Sequence, residues 1–248
     1  MRLLTTTAIY VVFTHMTAAA DAPETRYCEG EYARGFSNED GETVGETLIR
    51  RFDSGGGDGF RLACRLEAAL GVYGFGEIRF VGVDLDSVAT GINDPSQMSL
   101  DEGTLVSGEW RAGLGLERKV GDDVSIYGQA GVIWAEVTES FLVFTDTLPN
   151  GLPEQTRGVD VEGGARWRPN DRLEFGAFAR WSSVGSFDLD LARGDEGAIP
   201  NSLDLFVDRD VFGGGASGAW RVTGPLWVTA RFEARDIDLL TFGFRASF

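Results

Sequence analysis

Arginine and carboxylate side chains alternate with apolar ones along much of this chain, and that spacing is its first sign of chemistry. In Phe60-Arg61-Leu62, Ile78-Arg79-Phe80 and Glu109-Trp110-Arg111 the charged residues fall at every second position. A period of two places them on one face of a strand and the apolar residues on the other. The charged face collects arginines 61, 65, 79, 111, 166, 168, 180, 221, 231, 235 and 245, with Glu67, Glu77, Glu109, Glu117, Asp160, Glu162, Glu174 and Glu233. Glu29 and Glu31 join them if a strand begins near Arg26, which sets 11 arginines against 10 carboxylates. Side chains of this kind suit mutual ion pairing, because a charge taken out of water is costly unless paired. They suit catalysis less well. A general base that works near neutrality is most often histidine, and the only one, His15, lies within the first twenty residues. Two cysteines, Cys28 and Cys64, do not make a closed zinc site, and no phosphate loop, metal-ligand spacing or nucleophile motif appears. No cofactor, metal or catalytic residue is expected.

The totals fit that reading. The chain has 248 residues, 43% hydrophobic and 25% charged, which is too apolar for a disordered composition. Its 39 acidic residues against 22 basic ones give a net charge of −17, a balance that repels nucleic acid. Residues 1–20 read as a secretory signal: Arg2, an apolar run from Leu3 to Phe13, and Ala18-Ala19-Ala20 as a cleavage site. Cleavage leaves residues 21–248 as one domain with no histidine and a net charge of −18. No later segment approaches 18 consecutive apolar residues, so nothing spans a membrane as a helix. In an oxidising compartment Cys28 and Cys64 either form one disulfide or pack as two small apolar thiols. Both have the parity of the apolar face, and a bridge needs their Cα atoms within about 7 Å.

Four segments of similar design position these side chains: 59–83, 107–137, 157–187 and 211–235. Each is an alternating strand, a short turn and another alternating strand, with turns near Leu70-Gly71, Gly121-Asp122-Asp123, Asn170-Asp171 and Gly224-Pro225. Longer acidic stretches separate them, at 37–58, 84–106, 138–156 and 188–210, and together hold 21 acidic residues. A last alternating strand, Leu240 to Phe248, carries Leu240, Phe242, Phe244, Ala246 and Phe248 on one face. Short turns alternating with long polar loops predict an all-β, antiparallel, up-and-down transmembrane β-barrel, with periplasmic turns and acidic extracellular loops. Four hairpins and a final strand make nine, and an even number requires one more. Arg26–Phe36 is preferred for it over Thr43–Phe52 on its aromatic residues, giving ten strands, with eight as the alternative.

Over Arg26–Phe248 the chain resembles the small bacterial outer-membrane β-barrel domain family (OmpA/OmpX-like). The likeness rests on glycine-rich strands such as Arg111-Ala-Gly-Leu-Gly-Leu116 and Gly128-Gln-Ala-Gly131, and on the closing Phe-x-Phe-x-Ala-x-Phe of Phe242–Phe248. It implies a Gram-negative outer-membrane location and contact with lipid and lipopolysaccharide. It also implies a monomer, and an assembly signal at Leu240, Phe242, Phe244 and Phe248 read by the barrel-assembly machinery. Known outer-membrane barrel enzymes use a histidine base, so an enzyme is not expected. The resemblance implies membrane-integrity, adhesion or narrow-pore roles.

The alternation itself fits two barrels: an inside-out one in lipid, or a secreted soluble one that binds an apolar ligand. Five of six tryptophans (110, 134, 167, 181 and 220) share the apolar face near strand ends, as interfacial girdles do, which favours lipid. Trp227 falls on the charged face, against this pattern. With charges inward, Arg65, Glu67, Glu77, Arg79, Glu109, Arg111, Glu162, Arg166, Arg180, Arg231, Glu233 and Arg245 form a lumen charge network. That network either plugs the barrel or gates a narrow small-solute pore. The acidic loops are a solvated face, or hold divalent cations that bridge to lipopolysaccharide phosphates; Asp53-Ser-Gly-Gly-Gly-Asp58-Gly has the look of such a turn.

Overall fold

The computed structural model describes residues 26–36, 40–44, 48–91, 98–142, 155–184, 210–235 and 238–248. The expected signal at 1–20 and nearly all of the stretch 188–210 lie outside them. The described residues form twelve strands and no helix. These are β1 (Tyr27–Phe36), β2 (Asp40–Val44), β3 (Leu48–Ser54), β4 (Asp58–Ala69), β5 (Val72–Gly91) and β6 (Met98–Lys119). They continue as β7 (Val124–Leu142), β8 (Gln155–Asn170), β9 (Leu173–Ser182), β10 (Val211–Thr223), β11 (Leu226–Ala234) and β12 (Asp238–Ser247).

Ten of these strands close a ring of antiparallel pairs. From β4 through β12 each strand pairs with the next, and β1 closes the ring by pairing with both β12 and β4. The other two strands are continuations rather than extra staves. β2 prolongs the line of β1 and β3 that of β4, since β3 pairs with the far half of β5, from Ser54 opposite Leu85 to Leu48 opposite Gly91. Arg26–Phe36 is therefore the first strand, and Thr43–Phe52 spans the end of its hairpin, from β2 into β3.

The strands are longer than their turns suggest. β5, β6 and β7 run for 20, 22 and 19 residues, so much of 37–58 and 84–106, expected as loop, is sheet. The cause is pairing. Once β5 and β6 are in register from Val72 opposite Leu116, the ladder continues to Thr90 opposite Met98 without a break. Among the described residues these three are the longest strands.

The short turns lie where turn chemistry puts them, including the one poorest in turn formers. Leu70 (φ 54°) and Gly71 (φ 82°) both have left-handed backbone, which is what a two-residue hairpin of type I′ demands. Glycine is required at the second position, because a Cβ there would lie 2.2 Å from the carbonyl oxygen of Glu117. Leu70, 95% exposed, takes the same conformation without burying its side chain. Replacing it with asparagine, which tolerates this backbone, is expected to stabilise the folded barrel by about 1 kcal/mol. Urea titration of Leu70→Asn against the parent protein checks it; an unchanged midpoint refutes the strain.

Parity sorts the two faces of the sheet. Leu62, Leu114, Leu116, Val132, Phe175 and Phe212 point outward and are exposed, while Arg61, Arg65, Glu77, Arg79, Glu109, Arg111 and Arg180 point inward and are buried. The barrel is inside-out, and a greasy interior for an apolar ligand is not what these residues build. Cys28 and Cys64 face each other directly across β1 and β4. They form a disulfide with Cα atoms 4.1 Å apart.

Candidate functional site

The inward parity of nearly every strand delivers a charge to the lumen, and the register of the ring sets which charges meet. Arg61 on β4 reaches three carboxylates: Glu29 at 3.0 Å and Glu31 at 2.8 Å on β1, and Glu77 at 2.8 Å on β5. Glu77 also accepts from Arg111 on β6 at 3.1 Å, and Arg111 spans to Asp160 at 2.9 Å and Glu162 at 3.4 Å on β8. Asp160 pairs next with Arg180 on β9, which reaches Glu233 on β11 at 3.0 Å and Glu109 on β6 at 3.5 Å. Arg79 lies 2.6 Å from Glu109, and Arg231 lies 3.4 Å from Glu162 and 3.3 Å from Glu233. On the other side Arg245 of β12 joins Glu29 at 2.7 Å to Glu174 at 2.9 Å, and Glu174 also pairs with Arg168 at 2.6 Å.

A smaller set sits nearer the short turns. Glu117 lies 2.6 Å from Arg65 and 3.3 Å from Arg166, and Ser125 donates a hydrogen bond to it. Tyr27 links the two sets: Arg166 donates to its hydroxyl at 3.0 Å, and the Arg245 guanidinium lies 4.6 Å from its ring centre. Most members of both sets are almost fully buried. Such charges are tolerated because each has one or more opposite partners.

Eleven of the twelve residues read from the sequence as a lumen network make these pairs: Arg65, Glu77, Arg79, Glu109, Arg111, Glu162, Arg166, Arg180, Arg231, Glu233 and Arg245. Glu67 is placed elsewhere. It accepts from the Gly71 amide at 3.1 Å and fastens the β4–β5 turn, since it lies only four residues from that amide. Of the four residues read as an assembly signal, Phe242, Phe244 and Phe248 are exposed on the outward face, with Leu240 half-buried on the same parity.

Several lumen residues carry no charge and were not singled out. Thr229 and Thr241 each donate to Glu31 at 2.8 Å, Tyr127 donates to Glu162 at 3.0 Å, and Tyr73 to Gln129 at 3.1 Å. Their signal was parity alone, as each occupies an inward position between charged ones. Trp227 is of the same kind: it is 1% exposed, and the Arg221 guanidinium stacks 4.6 Å from its ring centre. A tryptophan on the charged face is an arginine platform there rather than a girdle residue. Inward glycines make room for such rings. A Cβ on Gly115 would lie 2.2 Å from the Tyr73 ring, so the ring of one strand fills the gap left by its neighbour.

Among the described residues the lumen holds a cavity of about 70 Å³, lined by Tyr27, Tyr127, Gln129, arginines and glutamates. It can hold a few waters and is well below the few hundred Å³ of an ordinary small-molecule site. Among the described residues no group of three or more His, Cys, Asp or Glu is arranged to hold a metal ion.

An all-antiparallel barrel with an apolar outer face and a paired, charged interior has the architecture of the small outer-membrane barrels. Solved structures with related folds include the outer membrane protein OprG from Pseudomonas aeruginosa, at 10% identity and a TM-score of 0.44, covering 90% of this chain and 95% of that one. The translocator domain of the autotransporter NalP from Neisseria meningitidis aligns at 11% identity and a TM-score of 0.48, covering 99% and 97%. The attachment invasion locus protein Ail of Yersinia pestis aligns at 16% and 0.36, covering 89% and 98%. No protein-family model and no curated protein matches the sequence.

Arg111 reaches three carboxylates at the centre, as Arg61 and Arg180 also do, so its loss leaves Glu77, Asp160 and Glu162 each with one arginine partner fewer. Arg111→Met is expected to lower the unfolding free energy by about 3–5 kcal/mol, the cost of leaving a buried pair without one partner. A urea midpoint within experimental error of the parent's contradicts this network.

Proposed function

We propose that this chain is a monomeric outer-membrane barrel of a Gram-negative bacterium, with a structural or surface-interaction role and a lumen closed by ion pairs. A signal at residues 1–20 exports it, and the barrel-assembly machinery reads Leu240, Phe242, Phe244 and Phe248. Lipid and lipopolysaccharide surround the outer face; no nucleic acid and no catalytic step is involved. The observation that carries this reading is the inversion of polarity, with exposed leucine, valine and phenylalanine outside and buried arginine–carboxylate pairs inside.

The outer face also has the proportions of a lipid contact. Phe212 and Trp220 stand eight residues apart on β10, about 26 Å along a strand and about 20 Å of height once it tilts by about 40°. Trp110 and Trp134 pair across β6 and β7 towards the far end, while Trp167 and Trp220 lie towards the short turns. A narrow small-solute pore is the alternative, favoured by the shared partners: Arg180 reaches three carboxylates and can exchange them.

Register also supports divalent cations at the acidic end. Asp40 stands opposite Asp53, Asp53 opposite Asp86 and Asp86 opposite Glu102, one row across four strands. Hard cations prefer carboxylate oxygens, so we place them at these acidic stretches. Calorimetric titration of the refolded protein with calcium is expected to give saturable heat; heat no greater than buffer dilution removes the idea.

Two further measurements separate the main readings. In planar bilayers the refolded protein is expected to give no discrete conductance steps, and reproducible steps establish the pore instead. Leu114→Arg, on the outward face, is expected to destabilise the bilayer-inserted barrel by about 2–4 kcal/mol. A neutral or stabilising effect, with recovery in the soluble periplasm, overturns the membrane reading.

A further inference from the structure

We infer that the lumen cavity is a binding site for one small monovalent anion of halide size. Charge is the first ground. Six arginines but only five carboxylates line the cavity. Guanidinium groups stay protonated in proteins, so the interior cannot shed the extra charge by losing a proton. Leaving it unbalanced among buried side chains is costly.

Hydrogen bonding is the second, independent ground. Arg65 has a side chain only 4% exposed, and its Nη2 lies 2.6 Å from Glu117 Oε2. That carboxylate is shared with Arg166, and Arg65 Nε and Nη1 have no hydrogen-bond acceptor among the described residues. Arg111 also lines the cavity, and its buried Nε has none either. Nearby, Gln129 accepts from Tyr73 through its carbonyl oxygen, which leaves its amide nitrogen as a donor, while the Tyr127 proton is already given to Glu162. The cavity is therefore rich in donors that lack acceptors. A halide is an acceptor only, carries a single negative charge and is close to a water molecule in size, so it meets both deficits in about 70 Å³. Water meets only the second, and a tetrahedral dianion overcharges the site. The inference stands on the lumen alone, whatever role the barrel serves.

The test uses the full mature barrel refolded in detergent, with sodium bromide as the probe. Anomalous diffraction from crystals grown in bromide is expected to show one bromide in the cavity, within hydrogen-bond distance of Arg65 or Arg111. The thermal unfolding midpoint is expected to rise saturably with bromide or chloride, and not with sodium gluconate at equal ionic strength. Gln129→Glu supplies a fixed carboxylate in the same place. It is expected to abolish both the bromide peak and the halide dependence while raising the midpoint in gluconate. A cavity without bromide, or equal midpoints in bromide and gluconate, overturns the assignment, and either result is read on the unmodified protein. A Gln129→Glu protein that folds and keeps its halide dependence overturns it as well.

Discussion

The pairing of β1 with β12 is the interaction on which the rest depends. A sheet with an apolar outer face cannot leave a row of backbone donors and acceptors open at its edge, least of all in hydrocarbon. Ten residues of each strand meet, from Tyr27 opposite Ser247 to Phe36 opposite Asp238, and the edge disappears. The same contact creates the interior. Glu29 and Glu31 enter the lumen from β1, and Arg245 and Thr241 enter from β12 to meet them. Glu31 draws on three strands beyond its own, through Arg61, Thr229 and Thr241. Apart from the Arg61 bond, which lies within the β1–β4 ladder, none of these bonds forms in a sheet left open at β1 and β12, so these contacts are a product of closure as much as a support for it.

Closure also explains why so many charges can share so little space. Each carboxylate is placed by a backbone register that serves the whole strand, so no charge has to be positioned on its own. Asp160 sits between Arg111 and Arg180, although β7 lies between β6 and β8 in the ring. The intervening strand offers Tyr127, Gln129 and Ile133 at its inward positions, which leaves the long guanidinium groups free to pass over it. Small residues matter for the same reason, as Gly115 beneath the Tyr73 ring shows.

Much of this was legible in the chain. The period of two fixed which side each residue takes, so inward Arg111 and outward Trp110 were readable from their order alone. Ring size followed from an even count and the aromatic character of Arg26–Phe36. Other features depend on distance between strands and were not legible. Nothing in the sequence says how far the β5–β6 ladder climbs past Val83, because that depends on pairing and not on pattern. Trp227 looked anomalous because its partner, Arg221, lies across a turn on the neighbouring strand. Glu67 obeyed the parity rule and still served a turn, since a flexible side chain beside a free amide takes the nearer donor. The pairing of Cys28 with Cys64 needed the register of β1 against β4, which the sequence leaves open.

That disulfide has a consequence of its own. The two cysteines stand directly opposite each other, 4.1 Å apart at Cα, near the short-turn end of the first hairpin. A slip of one residue turns every side chain of a strand to the wrong side, sending either Glu29 and Glu31 or Arg61 and Arg65 outward. It would also carry one sulfur to the opposite face from the other, where no bridge can be made. Oxidation therefore acts as a proofreading step. Only strands threaded with the correct parity can be covalently sealed.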